Sequence, residues 1–451
     1  YPTINGNGSV TTGKPFKTQN TLISVFGRVN YGYLDKYLLT ATVRRDGSSR
    51  FNPDNRWGTF PSVALAWRIN QESFLKDSKT LSDLKLRLGY GITGQQDISN
   101  NDYPYLARYT YSGASAQYQF GNTFYNTLRP EGYDANIKWE QTTTSNAGLD
   151  FGFLNGKISG SADYYIKKTK DLLSFIPVPA GSNLTNGLLT NVGSIENKGL
   201  ELVLNYNAIS KKDLTWSFGI NGTLNQSKIT NLSKTQDPNQ VVEVGGIGGG
   251  VGNNIQLHKV GESPYSFFVY KQVYNSAGNP IEGLYEDLNK DGVVDAKDKY
   301  LYKSPASPVF LGFNTQVTYK NWSLGTVLRA SVGNYVYNNT ASNTGNYRAF
   351  SFPNYLNNVN SSVLATDFTG IQLWSDYYME NASYLKMDNL NLGYNFKQVL
   401  NKRMNLRLTA NVQNVFTVTK YSGLDPEIGG GIDNNFYPRP RIYSMGLNLN
   451  F

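Results

Sequence analysis

Residues 441–451 read RIYSMGLNLNF. Tyr443, Met445, Leu447, Leu449 and Phe451 alternate with Ser444, Gly446, Asn448 and Asn450, so an extended chain here is apolar on one side and polar on the other. The same period returns along the chain. Tyr37, Leu39, Ala41 and Val43 alternate with Leu38, Thr40, Thr42 and Arg44, and Val63, Leu65, Trp67 and Ile69 with Ala64, Ala66 and Arg68. Leu84, Leu86, Leu88, Tyr90 and Ile92 alternate with Lys85, Arg87, Gly89 and Gly91. Leu406, Leu408, Ala410 and Val412 alternate with Asn405, Arg407, Thr409 and Asn411. Residues 158–166, 200–208, 214–224, 311–319, 322–332 and 390–396 repeat the pattern. Lys and Arg keep to the polar parity in most of these strands. On a lipid-facing position each would cost about 2–4 kcal/mol at mid-membrane, whereas a wet interior takes them at little cost. The pattern predicts an all-β chain: an antiparallel transmembrane β-barrel with a greasy outside and a polar inside.

Composition is compatible with this. Hydrophobic residues make up 39% of the chain, and no run approaches the roughly 18 apolar residues a membrane helix needs. That excludes helical membrane proteins, not barrels, whose alternating strands average to near-neutral hydropathy. Aromatic residues reach 14%, with 33 Tyr, which suits girdles where an apolar ring meets a wet hydroxyl. With no cysteine, disulfides, thiolate metal sites and cysteine nucleophiles are all excluded. The net charge of +9 is scattered, without a basic run or helical stripe, so nucleic acid is not an expected partner. Anionic solutes, lipopolysaccharide or simply a wet lumen account for it.

Short connections fall at Asp35-Lys36, Asn155-Gly156 (a type I′ hairpin signal), 210–213, Lys320-Asn321 and 401–403. Long ones cover 46–58, 93–138, 171–190, 229–309, 333–383 and 417–439. Outer-membrane barrels alternate short periplasmic turns with long extracellular loops in this way. About 13 strands fit between the connections, and both the first, at 21–34, and the last descend from the outside. Closed single-chain barrels have an even strand count. An odd count beginning outside predicts that residues 1–451 are the carboxy-terminal part of a larger barrel, with the first strands elsewhere.

Residues 26–70, 411–425 (NVQNVFTVTKYSGLD) and 437–451 resemble the SusC/RagA family of TonB-dependent outer-membrane transporters. The markers, in order, are RRDGSSRF at 44–51, NRWG at 55–58, FPS at 60–62 and YPRPR at 437–441. The resemblance implies a barrel of about 22 strands with an amino-terminal plug and a TonB-contacting segment, neither of which is visible in this sequence. It further implies a Bacteroidota outer membrane and a SusD-like surface lipoprotein closing over the barrel mouth. The implied activity is import of an oligosaccharide or peptide, driven by the proton-motive force through TonB. No nucleophile, base pair or cofactor loop stands in a catalytic context, so an enzyme is not expected. The competing readings are a passive porin or surface-adhesin barrel, and a soluble multi-domain β protein that binds glycans.

One motif carries sharp chemistry. Residues 287–298 read DLNKDGVVDAKD, placing Asp287, Asn289 and Asp291 at positions 1, 3 and 5 of an EF-hand-type loop. Gly292 supplies the tight turn, Val293 a backbone carbonyl, and Asp295 and Asp298 positions 9 and 12. Ca²⁺ takes about six to eight oxygens on such a turned backbone, so a structural calcium site is expected. Asp rather than Glu at position 12 shortens the closing arm. Residues 244–254 (VGGIGGGVGNN) follow no βαβ unit and read as an outer-loop segment rather than a nucleotide loop. His258, the sole histidine, has no evident triad. In the Asn- and Tyr-rich stretch 334–360, Tyr337, Tyr347 and Tyr355 are candidates for stacking on a ligand.

Overall fold

A computed structural model describes residues 2–4, 10–12, 17–98, 102–113, 115–178, 185, 187–234, 237–248, 252–351, 358–398, 404–434 and 437–450. Tyr355, Phe451 and the turn at 401–403 lie outside these described residues. Thirteen strands form one antiparallel sheet in which each pairs with its neighbours in sequence. They are β1 Leu22–Tyr33, β2 Tyr37–Ser48, β3 Trp57–Arg68 and β4 Leu81–Gln95. Next come β5 Glu140–Phe153, β6 Ile158–Lys170, β7 Ser194–Ser210 and β8 Leu214–Asn231. The last are β9 Val309–Tyr319, β10 Trp322–Val332, β11 Tyr384–Gln398, β12 Met404–Thr419 and β13 Ile442–Asn450. Among the described residues, β1 and β13 each have one edge that pairs with nothing. No helix among them is long and apolar enough to cross a membrane.

Register turns the local alternation into a continuous surface. Tyr31, Leu39, Leu65, Leu88, Ala147, Tyr164, Leu200, Leu224, Val309 and Val332 are directly paired in one row across β1 to β10. Paired residues share a face, so this row is a band of grease around the sheet. The opposite face carries Arg68, Lys85, Asp150, Ser161, Val203, Asn221, Gly312, Arg329, Lys386 and Thr417 in an equally direct row across β3 to β12. Eight of these ten are polar or charged, which fits water there and nowhere else.

The short-turn end of the apolar face is aromatic. Tyr33, Tyr37 and Trp67 stack in sequence across β1 to β3, with centroids 6.4 and 6.3 Å apart. Trp216 and Phe218 continue the ring on β8. On β10 and β11, Trp322, Tyr394 and Phe396 pack edge to face at 4.6 and 4.5 Å. Such a girdle marks one membrane–water boundary. Glu72, in the link after β3, accepts from Lys36, Tyr37 and Trp67 and ties the wet side of the girdle.

Two elements depart from the sequence reading. β5 was not marked by alternation, because its upper half is the polar run Gln141, Thr142, Thr143, Thr144 and Ser145. Ile69 leaves the strand for a 3₁₀ turn, Ile69–Gln71, which opens the connection 69–80 to β4. At the Asn155-Gly156 hairpin, Asn155 and Gly156 take positive φ, as a primed turn demands, and Leu154 before them does too.

On the long-loop side the connections fold into a core of their own. Ile247, Ile255, Phe267 and Val269 from one loop pack with Tyr337, Ala341, Phe368, Tyr378 and Met379 from the next, and Ile432 from the last loop joins them. Residues 241–259, expected to be partly an irregular glycine-rich segment, form a hairpin of Val241–Gly246 with Asn254–Lys259.

The two faces predict opposite tolerance. Leu202→Lys, on the apolar face of β7, is expected to lower the unfolding free energy by about 2–4 kcal/mol in a bilayer or micelle. Asn221→Lys, on the polar face of β8, is expected to change it by under about 0.5 kcal/mol. Equal losses in denaturant titrations of the two variants would remove the assignment of faces.

Candidate ligand-facing site

Three of the long connections share one core at the long-loop end of this sheet, while Phe51, Phe60, Ile98, Ile137 and Trp139 form a second core there. Residues 232–308, 333–383 and 420–441 are held together by hydrogen bonds as well as by their shared core. Trp374 Nε1 donates to the Asn254 carbonyl at 2.8 Å, Tyr300 Oη to Asp376 Oδ2 at 2.6 Å, and Gln256 Nε2 to the Gly430 carbonyl at 2.6 Å. Lys299 rests over Trp374 at 4.3 Å and Tyr270 at 5.4 Å, and burial pushes its ammonium below the usual lysine range.

The third loop is clamped to the inner wall through Glu427. Its carboxylate accepts from Arg329 on β10, from Lys386 Nζ at 2.9 Å and Tyr384 Oη at 2.9 Å on β11, and from Arg439 at 2.7 Å. Arg329 also donates to Asp388 at 2.6 Å, and Lys386 is 3% exposed. Burial pushes the Glu427 carboxyl up, but hydrogen bonds from Arg329, Lys386 and Tyr384 outweigh it and hold the group at about 2. A second inward cluster sits on β4 to β6, where Arg87 joins Asp150 at 2.7 Å and Asp163 at 2.8 Å, and Lys85 joins Asp150 at 2.7 Å. Gly148 lies directly between these groups, and a Cβ there would come 2.2 Å from Asp163 Oδ1.

Between the loops opens a cavity of about 680 Å³ lined by asparagines and threonines together with Ile247, Val359, Gly246 and Gly248. Asn339, Asn343, Asn358, Asn360 and Asn434 face it with Thr340 and Thr344, and among the described residues no charged side chain lines it. Asn339 donates through Nδ2 to Asn434, while its Oδ1 is enclosed and accepts nothing among the described residues. An amide offers both donors and acceptors without charge, so the cavity suits a neutral ligand rich in hydroxyl or amide groups.

The tyrosines fare unequally. Tyr337 is fully buried, with its hydroxyl donating to Ser342 at 2.9 Å and its ring packed edge to face on Tyr378. Both ring faces are covered, which corrects the stacking role expected of it: it is the centre of the loop core. Tyr347 is 38% exposed and stacks on Phe350, itself 67% exposed. That pair leaves an aromatic surface free. Amides rather than rings of the Asn-rich stretch line the cavity, and Asn434 arrives from a loop remote in sequence.

The 287–298 loop has an EF-hand-like backbone. Lys290 and Gly292 take positive φ, and Asp287 accepts from the N–H groups of Lys290 at 2.6 Å and Gly292 at 2.8 Å. Asp298 is buried and accepts from Asp295, Leu288 and Asn289; the Asp295 N–H, with the other two, holds its carboxyl below the usual range. Val293 donates its N–H to Asp291. The side-chain oxygens thus rest on backbone N–H groups. Among the described residues no group of three or more His, Cys, Asp or Glu side chains is arranged to hold a metal.

A greasy exterior, a charged interior wall and a folded loop cap define an outer-membrane receptor barrel. The family described as TonB dependent receptor-like, beta-barrel matches residues 1–415, and the chain belongs to it. It is similar to the TonB-dependent receptor SusC of Bacteroides thetaiotaomicron, with 47% identity over 97% of this chain and 44% of that protein. The TonB-dependent receptor P3 of Formosa agariphila is 33% identical over 100% of this chain and 48% of the relative. The solved RagAB peptide importer in its open-open state superposes with a TM-score of 0.82 at 27% identity, covering 99% of this chain and 48% of that one. The chain therefore spans under half the length of these relatives.

The Glu427 clamp has a pH signature. Its carboxyl is depressed from 4.5 to about 2 in the folded loop, so its stabilisation is complete above about pH 4.5 and is lost as pH falls through about 2. A spin label at Leu424→Cys, in a chain without cysteine, should be immobile at neutral pH and loosen across that window. With Glu427→Gln it should be mobile throughout; a label unaffected by either change overturns the clamp.

Proposed function

We propose that this chain forms the carboxy-terminal barrel wall and loop cap of a SusC-like active importer. Strands from outside the chain complete the barrel along the free edges of β1 and β13, and a plug supplied from the same source carries the contact to TonB. A SusD-like lipoprotein closes over the loops. The cargo is an oligosaccharide or peptide, neutral where it meets the loop cap, and the chain's part is recognition and passage rather than covalent chemistry. The observation that carries this reading is the asparagine-lined cavity, charge-free and set among loops rigidified by a common core. Similarity to a TonB-dependent receptor and to a structure described as a peptide importer supports import, and the latter supports a peptide as cargo. Tyr347 and Phe350 add a surface on which a sugar ring or aromatic side chain can stack.

In the complete transporter, Asn339→Ala combined with Asn343→Ala is expected to weaken cargo binding about tenfold or more, at roughly 1 kcal/mol per lost hydrogen bond. Titration calorimetry with the copurified cargo measures it. Uptake by whole cells should stop when the proton-motive force is dissipated; undiminished uptake would instead mark a passive pore.

We also propose that the 287–298 loop takes a structural Ca²⁺ through Asp287, Asn289, Asp291, Asp295, Asp298 and the Val293 carbonyl. The spacing and the left-handed turns at Lys290 and Gly292 support it. The carboxylate oxygens must exchange some N–H partners for the ion, so an affinity in the range of about 0.1–1 mM is expected. Calcium should raise the melting temperature and protect the loop from proteolysis in the wild type, and do neither in Asp291→Ala. Equal behaviour of the two proteins disproves the site.

A further inference from the structure

The apolar face does not end in neutral residues everywhere. Above the last apolar positions of β6, β7 and β8, on the long-loop side, the outward parity turns basic. On β6, Ile158, Ala162, Tyr164 and Ile166 are followed by Lys168 and Lys170. On β7, Leu204, Leu202 and Leu200 lead up to Lys198 and then Glu196. On β8, Ile220 and Leu224 lead up to Gln226 and Lys228. Register fixes these residues as neighbours: Ile166, Lys198 and Gln226 are paired in one row, and Lys168, Glu196 and Lys228 in the row above. Lys170 pairs with Ser194 one row further up.

All four lysines are exposed. The paired rows contain one carboxylate, Glu196, which meets Lys168 Nζ at 3.4 Å. Lys170, Lys198 and Lys228 have no ion-pair partner among the described residues. Lys168 and Lys228 lie two strands apart, roughly 10 Å, with Lys198 between them and one residue pair lower. The side chains thus form a triangle of ammonium groups on the outside of the barrel, within one pleat of lipid-facing Tyr164, Leu200 and Leu224. β9 begins at Val309, opposite Leu224; above it the backbone of Gly261 and Glu262 bonds to Ile229, leaving the exposed Lys228 beside that turn.

Position decides the partner. Lysines on the inner wall would face water and solute; these face away from it, at the level where acyl chains give way to headgroups. Clustered ammonium groups repel one another unless an anion sits among them, and the attraction grows where lipid lowers the dielectric. The single glutamate neutralises only one of the four. We propose that Lys168, Lys198 and Lys228, with Lys170 above them, form a binding site for the phosphate groups of a phosphorylated glycolipid in the outer leaflet. Its acyl chains lie along the Tyr164, Leu200 and Leu224 stripe. The site is independent of the cargo cavity and of transport.

The test uses the full-length transporter in nanodiscs containing diphosphoryl lipid A or its dephosphorylated form, with retained lipid counted by native mass spectrometry. Wild type should retain the phosphorylated lipid preferentially. The triple variant Lys168→Gln, Lys198→Gln, Lys228→Gln should retain less, by roughly fivefold per lysine at low salt. Glu196→Gln should retain more, and added salt should erode the preference. Melting temperature in detergent, without lipid A, should be the same for all three, which separates loss of binding from loss of fold. Inorganic phosphate should not compete at millimolar levels, because the acyl stripe supplies part of the affinity. Equal retention by wild type and triple variant, or no preference for the phosphorylated form, overturns the site.

Discussion

Hydrocarbon offers no hydrogen bonds, so every backbone N–H and C=O at membrane depth must find its partner in a neighbouring strand. That requirement fixes the register of β2 to β12, which are bonded on both sides, and register is what gathers scattered apolar residues into one band. A slip of a single residue would turn Leu200 and Leu224 inward and Arg87 and Arg329 toward lipid. The fold is therefore over-determined by two conditions that act together. Pairing alone tolerates slippage, and alternation alone does not say which strands meet.

This explains what the sequence could reveal. Period two is a local property, and so the outward and inward residues of β2, β4, β8 and β12 were legible from their own segments. β5 was not, because Gln141, Thr143 and Ser145 occupy outward positions near its upper end, where water replaces lipid. The count of thirteen strands followed from connections, since short polar turns and long loops alternate regardless of how clean each strand is. The aromatic girdle was foreshadowed by tyrosine abundance, but its position at the short-turn end depends on register between strands.

The loop cap was far less legible. Tyr337 looked like an exposed platform because it sits among asparagines, yet packing against Tyr378 and the other loop-core residues encloses it. Loops distant in sequence supply the walls of the asparagine cavity, and no single segment announces that Asn339 and Asn434 touch. The Glu427 clamp likewise joins the last loop to β10 and β11, and a carboxylate in a proline- and glycine-rich stretch carries no local sign of such a role. Where chemistry is read from spacing within one segment, as at 287–298, sequence proposes a site; where it comes from assembly, coordinates are required.

Because Ile247, Phe267, Tyr337, Phe368, Tyr378 and Ile432 share one small hydrophobic nucleus, the three connections that supply it cannot diversify one at a time. Replacing any one of them by the corresponding segment of a relative would strip apolar partners from the other two. Divergence of the cap must then proceed either by point changes among the amides or by exchange of the cap as a block. A recombination breakpoint within 232–434 is expected to be tolerated far less often than one on either side of it.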